Sequence, residues 1–195
     1  MVTQRLFVDA NILFSRTLRD WLFLLKLQSE NSMFVVVSTE DVLAETIYRL
    51  RRKYPAWDGG QISRIREALV KNIDELVNDY PIRDDFAGID PDDNHVHSAA
   101  VAGNANMLVT SDGGFLELEG ASNKLPYEIW SADEFFVLVD DSAPHLVELV
   151  TKKQVLHWNN DRGVPGRIVE KLIKSGCPQF AERVKAHLRS LSGPG

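Results

Sequence analysis

The feature that most constrains how this chain folds is that its apolar residues alternate between two spacings. Short continuous apolar runs occur at LFVD (6–9), FVVVS (34–38), MLVTSD (107–112) and EIW (128–130), with YPI (80–82) a weaker candidate. Continuous runs of this length, rich in β-branched and aromatic residues, predict strands buried on both faces. Between them the spacing becomes helical, over 12–29, 39–53, 61–78 and 93–103. In 61–78, for example, Ile62, Ile65, Leu69, Ile73 and Leu76 fall on one stripe. Strand and helix in alternation predict an α/β fold, a parallel sheet of four to five strands sandwiched by helices. YPAWDGG (54–60) separates the second and third helices through Pro55 and a glycine pair. After Asp140–Asp141 no strand pattern remains. Residues 142–195 read as an all-helical extension of two or three helices broken at RGVPG (162–166) and SGCP (175–178), so the expected domains are 1–141 and 142–195.

Charge divides along nearly the same line. Residues 1–150 carry 13 Lys and Arg against 25 Asp and Glu, a balance of −12, whereas residues 151–195 carry 9 against 3, a balance of +6. The body repels polyanions and the tail attracts them, which implies different tasks for the two. Cys177 is the single cysteine, which excludes an internal disulfide and a cysteine-based zinc site and fits an inert thiol in a reducing compartment. The most apolar run, WLFLLKL (21–27), is far shorter than the ~20 residues a bilayer requires. No leader pattern is seen at MVTQRLFVDANIL, so a cytoplasmic location is expected.

Four carboxylates fall where an open α/β sheet binds ligands, outside the carboxyl ends of its strands. Asp9 ends the first strand and Asp112 follows MLVTS. Asp93 opens the 93–103 helix, and Glu45 lies one turn into the 39–53 helix. A strand-end Asp taken singly is as readily a helix cap, and a helical Glu is as readily a solvated charge. Several carboxylates at one edge are harder to explain in that way, because like charges repel unless a cation or shared protons hold them. Hard oxygen donors select Mg²⁺ or Mn²⁺. Asp90 is equally a turn residue before Pro91, and Asp92 competes with Asp93 as the helix cap.

At these residues the chain resembles PIN-domain ribonucleases and, within them, the VapC-type toxins of toxin–antitoxin pairs. The resemblance rests on FVDANILFS (7–15), on VVVSTEDVLAET ending at Thr46, on DPDDNHVHSAAVAGNANMLVTSD (90–112) and on EIWS (128–131). SRTLRDWL (15–22) and the basic tail resemble a subgroup with a C-terminal helical extension. The resemblance implies that Asp9, Glu45, Asp93 and Asp112 are the catalytic acidic set, with Asp9, Asp93 and Asp112 holding Mg²⁺ or Mn²⁺. Asn11, Ser38, Asp90, Asp92, Thr110 and Ser111 would be accessory. It further implies endonucleolytic cleavage of RNA leaving a 5′-phosphate, inhibition of translation as a type II toxin, a small cognate antitoxin protein, and a homodimer. The RNA-contact candidates are Arg49 and Arg52 in RLRRK (49–53), and Lys152, Lys153, Arg167, Lys171 and Lys174 in the tail. Charge runs of this kind are also common as solvated helix faces.

Other chemistries fit less well. DPDDN (90–94) lacks the Gly and Glu that a calcium loop needs at its sixth and twelfth positions. His95 and His97, two apart on a helix, point to different sides and do not chelate together; surface or partly buried histidines are expected. No phosphate-binding glycine loop is present. A phosphatase with D-x-D at the first strand is excluded by Asn11, and a receiver domain by the absence of Lys from EIWSA. The remaining alternative is a catalytically inactive PIN-fold binding module in an RNA-processing or regulatory complex.

Overall fold

The computed structural model describes residues 3–29, 33–86, 93–118, 125–157 and 164–191. By packing, the chain gathers into two compact units, Met1–Phe14 with Ser32–Trp130, and Ser15–Asn31 with Ser131–Gly195.

The first unit is built on a five-stranded parallel sheet flanked by helices, an α/β PIN-like arrangement. The strands β1 (Gln4–Val8), β2 (Phe34–Ser38), β3 (Glu75–Leu76), β4 (Met107–Thr110) and β5 (Glu128–Ser131) lie in the order β3-β2-β1-β4-β5. Leu6, Phe7, Val8, Val36, Val37 and Leu108 are fully buried, the two-sided burial that continuous apolar runs predict. The register pairs Phe7 with Val37 and Val8 with Val109, so β1, β2 and β4 end at one edge. The helices are α1 (Ala10–Phe14), α3 (Glu40–Lys53), α4 (Gly59–Asn72), α5 (Asn94–Ala102) and α6 (Gly113–Glu117). Thr39 caps α3 by accepting from the Val42 amide at 3.1 Å. Glu40 and Asp41 at its start and Arg51, Arg52 and Lys53 at its end complement the helix dipole. Asp58 and Gln61 form a reciprocal capping box on α4. Gly103 after α5 is required by close approach, because a side chain there would stand 2.9 Å from Val77 and 3.1 Å from Val37.

Three expectations about elements are corrected. The run 12–29 is not one helix. It divides at Ser15, whose hydroxyl accepts from the Leu18 amide and caps α2 (Arg16–Gln28). The helix expected over 61–78 stops at Asn72, and the chain then extends to donate Asp74 N to Val36 O at 2.9 Å and Val77 N to Ser38 O at 2.8 Å. That edge strand replaces YPI (80–82), which forms no strand.

The second unit is helical: α2, α7 (Ala132–Ser142), α8 (Pro144–His157), α9 (Val164–Lys174) and α10 (Pro178–Leu191). Ser131 and Glu134 form the capping box of α7. The buried Asp133 carboxylate accepts from the amides of Gln179 (3.1 Å) and Phe180 (2.8 Å), capping α10 from a neighbouring helix. Trp21 meets Phe180 edge-on at 5.0 Å, and Phe136 lies 5.0 Å from the same ring. Among the described residues, no helix is long and apolar enough to cross a membrane.

Cys177 is fully buried, and burial pushes its thiol up to about 12. A thiol reagent at pH 8 is therefore expected to leave Cys177 unlabelled in the native protein and to label it stoichiometrically in denaturant. Mass spectrometry of the intact chain reads this directly, and rapid native labelling would contradict it.

Candidate active site

Because β1 and β4 run parallel and end together, the residues after them meet. The Asp9 amide donates to Val109 O at 3.2 Å, extending the ladder one step past β1. The Asp9 side chain is 7% exposed. Its Oδ1 accepts from the Ala10 amide at 2.5 Å, and its Oδ2 accepts from Asn11 Nδ2 at 2.6 Å and from the Thr110 hydroxyl at 2.8 Å. Asn11 also ties the two strand ends together. Its Nδ2 donates to Thr110 Oγ1 at 3.1 Å, and its Oδ1 accepts from the Ser111 amide at 2.9 Å. Thr110 Oγ1 in turn accepts from the Asp112 amide at 3.0 Å. The D-x-N motif and the hydroxyl before the last Asp thus form one connected network that fixes the direction of Asp9. Ser38 is fully buried and donates to Val8 O at 3.2 Å, bracing the end of β1 from β2.

Burial raises the Asp9 carboxyl above the ordinary carboxylate range. The hydrogen bonds from Thr110 and Ala10 oppose the shift, the nearby Glu45 charge adds to it, and Arg49 reduces it. Glu45 and Arg49, one turn apart on α3, form an ion pair at 2.5 Å. Arg49, expected only as an RNA contact, therefore sits within electrostatic reach of Asp9 and Glu45. The i,i+4 spacing was readable in the sequence, but its bearing on Asp9 was not.

Asp112 caps α6, its Oδ1 accepting from the Gly114 amide at 2.8 Å, so the capping role weighed for it is real. Asp93 occupies the cap position of α5 but makes no side-chain capping bond. Its Oδ2 and the Asp112 Oδ1 both approach the side of Gly114. A Cβ placed there would stand 3.3 Å from the first and 3.1 Å from the second. A side chain there would press on both carboxylates, and glycine leaves that space open.

Of Asp9, Glu45, Asp93 and Asp112, two neighbouring pairs are seen. Asp9 neighbours Glu45, and Asp93 neighbours Asp112, with Thr110 linking Asp9 to the Asp112 backbone. Among the described residues, no group of three or more His, Cys, Asp or Glu side chains stands close enough to hold a metal ion. Asp112 turns one oxygen toward its own helix. The donor chemistry still fits a hard divalent cation: the groups are carboxylate and hydroxyl oxygens, and one carboxylate carries a charge that burial disfavours. Asp90 and Asp92 lie outside the described residues.

The cationic candidates divide between the units. Arg49 and Arg52 are exposed, Arg52 lying 5.6 Å from the centre of the Tyr48 ring. In the helical unit Lys152, Lys153, Arg167, Lys171 and Lys174 are all exposed. Lys153 contacts Gln28, and Lys174 pairs with Glu170 at 2.5 Å. His97, expected at or near the surface, is 2% exposed. It bonds the Tyr127 hydroxyl at 2.8 Å through Nδ1 and faces Asp85 at 3.3 Å through Nε2. It braces the core and takes no part in the acidic edge.

Replacing Thr110 by Val keeps its shape but removes one donor and one acceptor. The buried Asp9 Oδ2 then loses a donor, and the half-buried Asp112 amide and one Asn11 proton lose an acceptor. The expected cost is about 1–3 kcal/mol in chemical denaturation, with Thr110→Ser restoring most of it. Equal stability of the Val and wild-type proteins would show that the network contributes nothing.

No curated protein and no solved structure matches the chain. A family model described as a PIN domain matches residues 5–113, more than half of the chain and all of the segment that carries Asp9, Asn11, Thr110 and Asp112. With that match and the parallel sheet that presents those residues at one edge, the chain belongs to the PIN-domain family.

Proposed function

We propose that the protein is a Mg²⁺- or Mn²⁺-dependent endoribonuclease, the toxin of a type II toxin–antitoxin pair of the VapC kind that inhibits translation. PIN domains are generally nucleases, commonly metal-dependent ribonucleases, and they typically use divalent metals. The observation that carries the reading is the buried Asp9 carboxylate, held in one direction by Asn11 and Thr110 at the strand edge. A desolvated carboxylate beside a second acid is costly unless a cation answers it.

In this proposal Asp9, Asp93 and Asp112 hold the ion, Glu45 completes the acidic set, and the nuclease body spans 1–141 with 142–195 as its extension. When bound, the ion supplies positive charge at the scissile phosphodiester and acidifies water there. The chain's own residues do the rest. Asn11 and Thr110 aim Asp9, Ser38 and Ser111 fix the strand ends, and Arg49 limits the repulsion between Glu45 and Asp9. Arg49 and Arg52, with Lys152, Lys153, Arg167, Lys171 and Lys174, supply positive charge for the RNA backbone. A small antitoxin protein would block the edge with an arginine paired to the carboxylates. The expected setting is a cytoplasmic homodimer.

One observation favours a second reading, an inactive PIN-fold binding module: among the described residues the carboxylates form no group of three or more that could hold a metal ion. A single assay separates the two. Purified protein is incubated with RNA in Mg²⁺, Mn²⁺ or EDTA, and new ends are sequenced. Cleavage that needs the ion and leaves 5′-phosphates supports the nuclease. Intact RNA under every condition, with RNA still bound, supports the module.

A further inference from the structure

The helical unit contains a cavity of about 220 Å³ between α2, α8 and α9, and its lining is unusual for an acidic protein. Three cations, Arg16, Arg167 and Lys171, share it with one anion, Asp20. Trp21 and Ile168, both nearly fully buried, also border it. The charges sense one another: Arg16 pairs with Asp20 at 3.5 Å, and the Lys171 charge acts on the Asp20 carboxyl. A single carboxylate leaves the lining with two positive charges in excess. Arg167 and Lys171 are one turn apart on α9, and like charges at that spacing weaken a helix. The first turn of α2, Arg16 and Thr17, also lines the cavity, and a helix N-terminus adds partial positive charge.

We propose that this cavity binds a phosphate ester of nucleotide size. Guanidinium groups pair with phosphate oxygens through two parallel hydrogen bonds, and Lys171 adds a compact charge. Trp21 and Ile168 wall the cavity and lower the local dielectric around these charges, which strengthens their pairing with a phosphate. The volume, below the ~300–1,000 Å³ of drug-sized pockets, suits one sugar-phosphate with part of its base rather than several nucleotides. The ligand is either a free mononucleotide or one nucleotide of an RNA strand. Arg167 and Lys171 are RNA contacts in the proposed function, and the RNA arm of this inference rests on that reading; none of the carboxylates takes part, so failure of binding here leaves metal-dependent cleavage untouched.

The test is binding by the full chain in EDTA, where metal-dependent cleavage is silent. The probes are a ribonucleoside 5′-monophosphate and a short single-stranded RNA, each titrated calorimetrically. The expected result is that Arg167→Ala with Lys171→Ala weakens binding by at least about tenfold, because two charge-assisted contacts are lost. Lys185→Ala, which removes the same charge from α10 outside the cavity, changes affinity less than about twofold. Asp20→Asn works in the opposite direction: it removes the one opposing charge and tightens binding severalfold, which a misfolded variant would not do. Loss confined to the monophosphate assigns the cavity to free nucleotide, and loss confined to RNA assigns it to the strand. The proposal is overturned if wild-type protein binds neither probe at millimolar concentration, or if the double variant binds both as wild type does.

Discussion

Asp9→Asn is expected to reduce metal-dependent RNA cleavage by at least about a thousandfold while the fold persists. The substitution changes one atom, so packing around a residue only 7% exposed is preserved. It removes the charge on which the proposed ion would depend. Stability should respond much less, because two effects oppose each other. Asn cannot accept at every position where Ala10, Asn11 and Thr110 now donate, which costs stability. It also removes a buried negative charge next to Glu45, which gains stability at neutral pH. The sign of the pH dependence follows from the raised carboxyl. In metal-free protein the Asp9 contribution to stability is fully present below the ordinary value of 3.8 and is lost as pH rises through its higher folded value. Denaturation in EDTA from acid to neutral pH should therefore show wild-type stability falling relative to that of the Asn variant. Adding Mg²⁺ should raise the melting temperature of the wild type at neutral pH and leave that of the variant unchanged. Full cleavage by Asp9→Asn would falsify the catalytic assignment, and an equal Mg²⁺ shift in both proteins would place the ion elsewhere.

How much of this could be read beforehand depended on whether the determinant was local. The strands at 6–9, 34–38, 107–112 and 128–130 were legible because a sheet covered on both faces needs unbroken apolar runs. The meeting of Asp9 with Thr110 was legible as well, since parallel strands that start in register end at one edge. The Glu45–Arg49 pair lies within one helical turn. Other features depend on residues far apart in the chain. Nothing in the apolar spacing of 12–29 tells that Ser15 ends one helix environment and opens another. Nor does it tell that α2 packs in the same unit as α7 to α10, more than a hundred residues later. The two-residue strand β3 carries no periodicity of its own. It forms because Asp74 and Val77 find partners on β2. Asp93 and Asp112 approach each other beside Gly114, which leaves the space open, a steric fact with no signature in spacing. The burial of His97 is set by Tyr127, thirty residues away. The expected grouping of all four carboxylates has a local competitor: an Asp at a helix start can satisfy its own backbone, and Asp112 does so.

Phe180→Ala is expected to cost about 3–5 kcal/mol, the largest stability effect of any substitution considered for this protein. Phe180 is fully buried and lies at the centre of the helical unit's aromatic core, with Trp21 edge-on on one side and Phe136 tilted on the other, each at 5.0 Å. Truncation removes the buried ring's transfer energy and both aromatic contacts. It also leaves a cavity that three helices can close only by moving. The backbone offers little relief, because the Phe180 amide is held by the buried Asp133 carboxylate at 2.8 Å. Against a typical total of about 5–15 kcal/mol, such a loss unfolds a large fraction of the protein at physiological temperature. Phe180→Leu should cost clearly less, since most of the volume remains. Leu191→Ala, 38% exposed at the end of α10, should change stability by no more than about 0.5 kcal/mol. Urea unfolding followed by circular dichroism distinguishes these cases. If Phe180→Ala and Leu191→Ala shift the midpoint equally, the Trp21–Phe180–Phe136 cluster is not what holds the helices together.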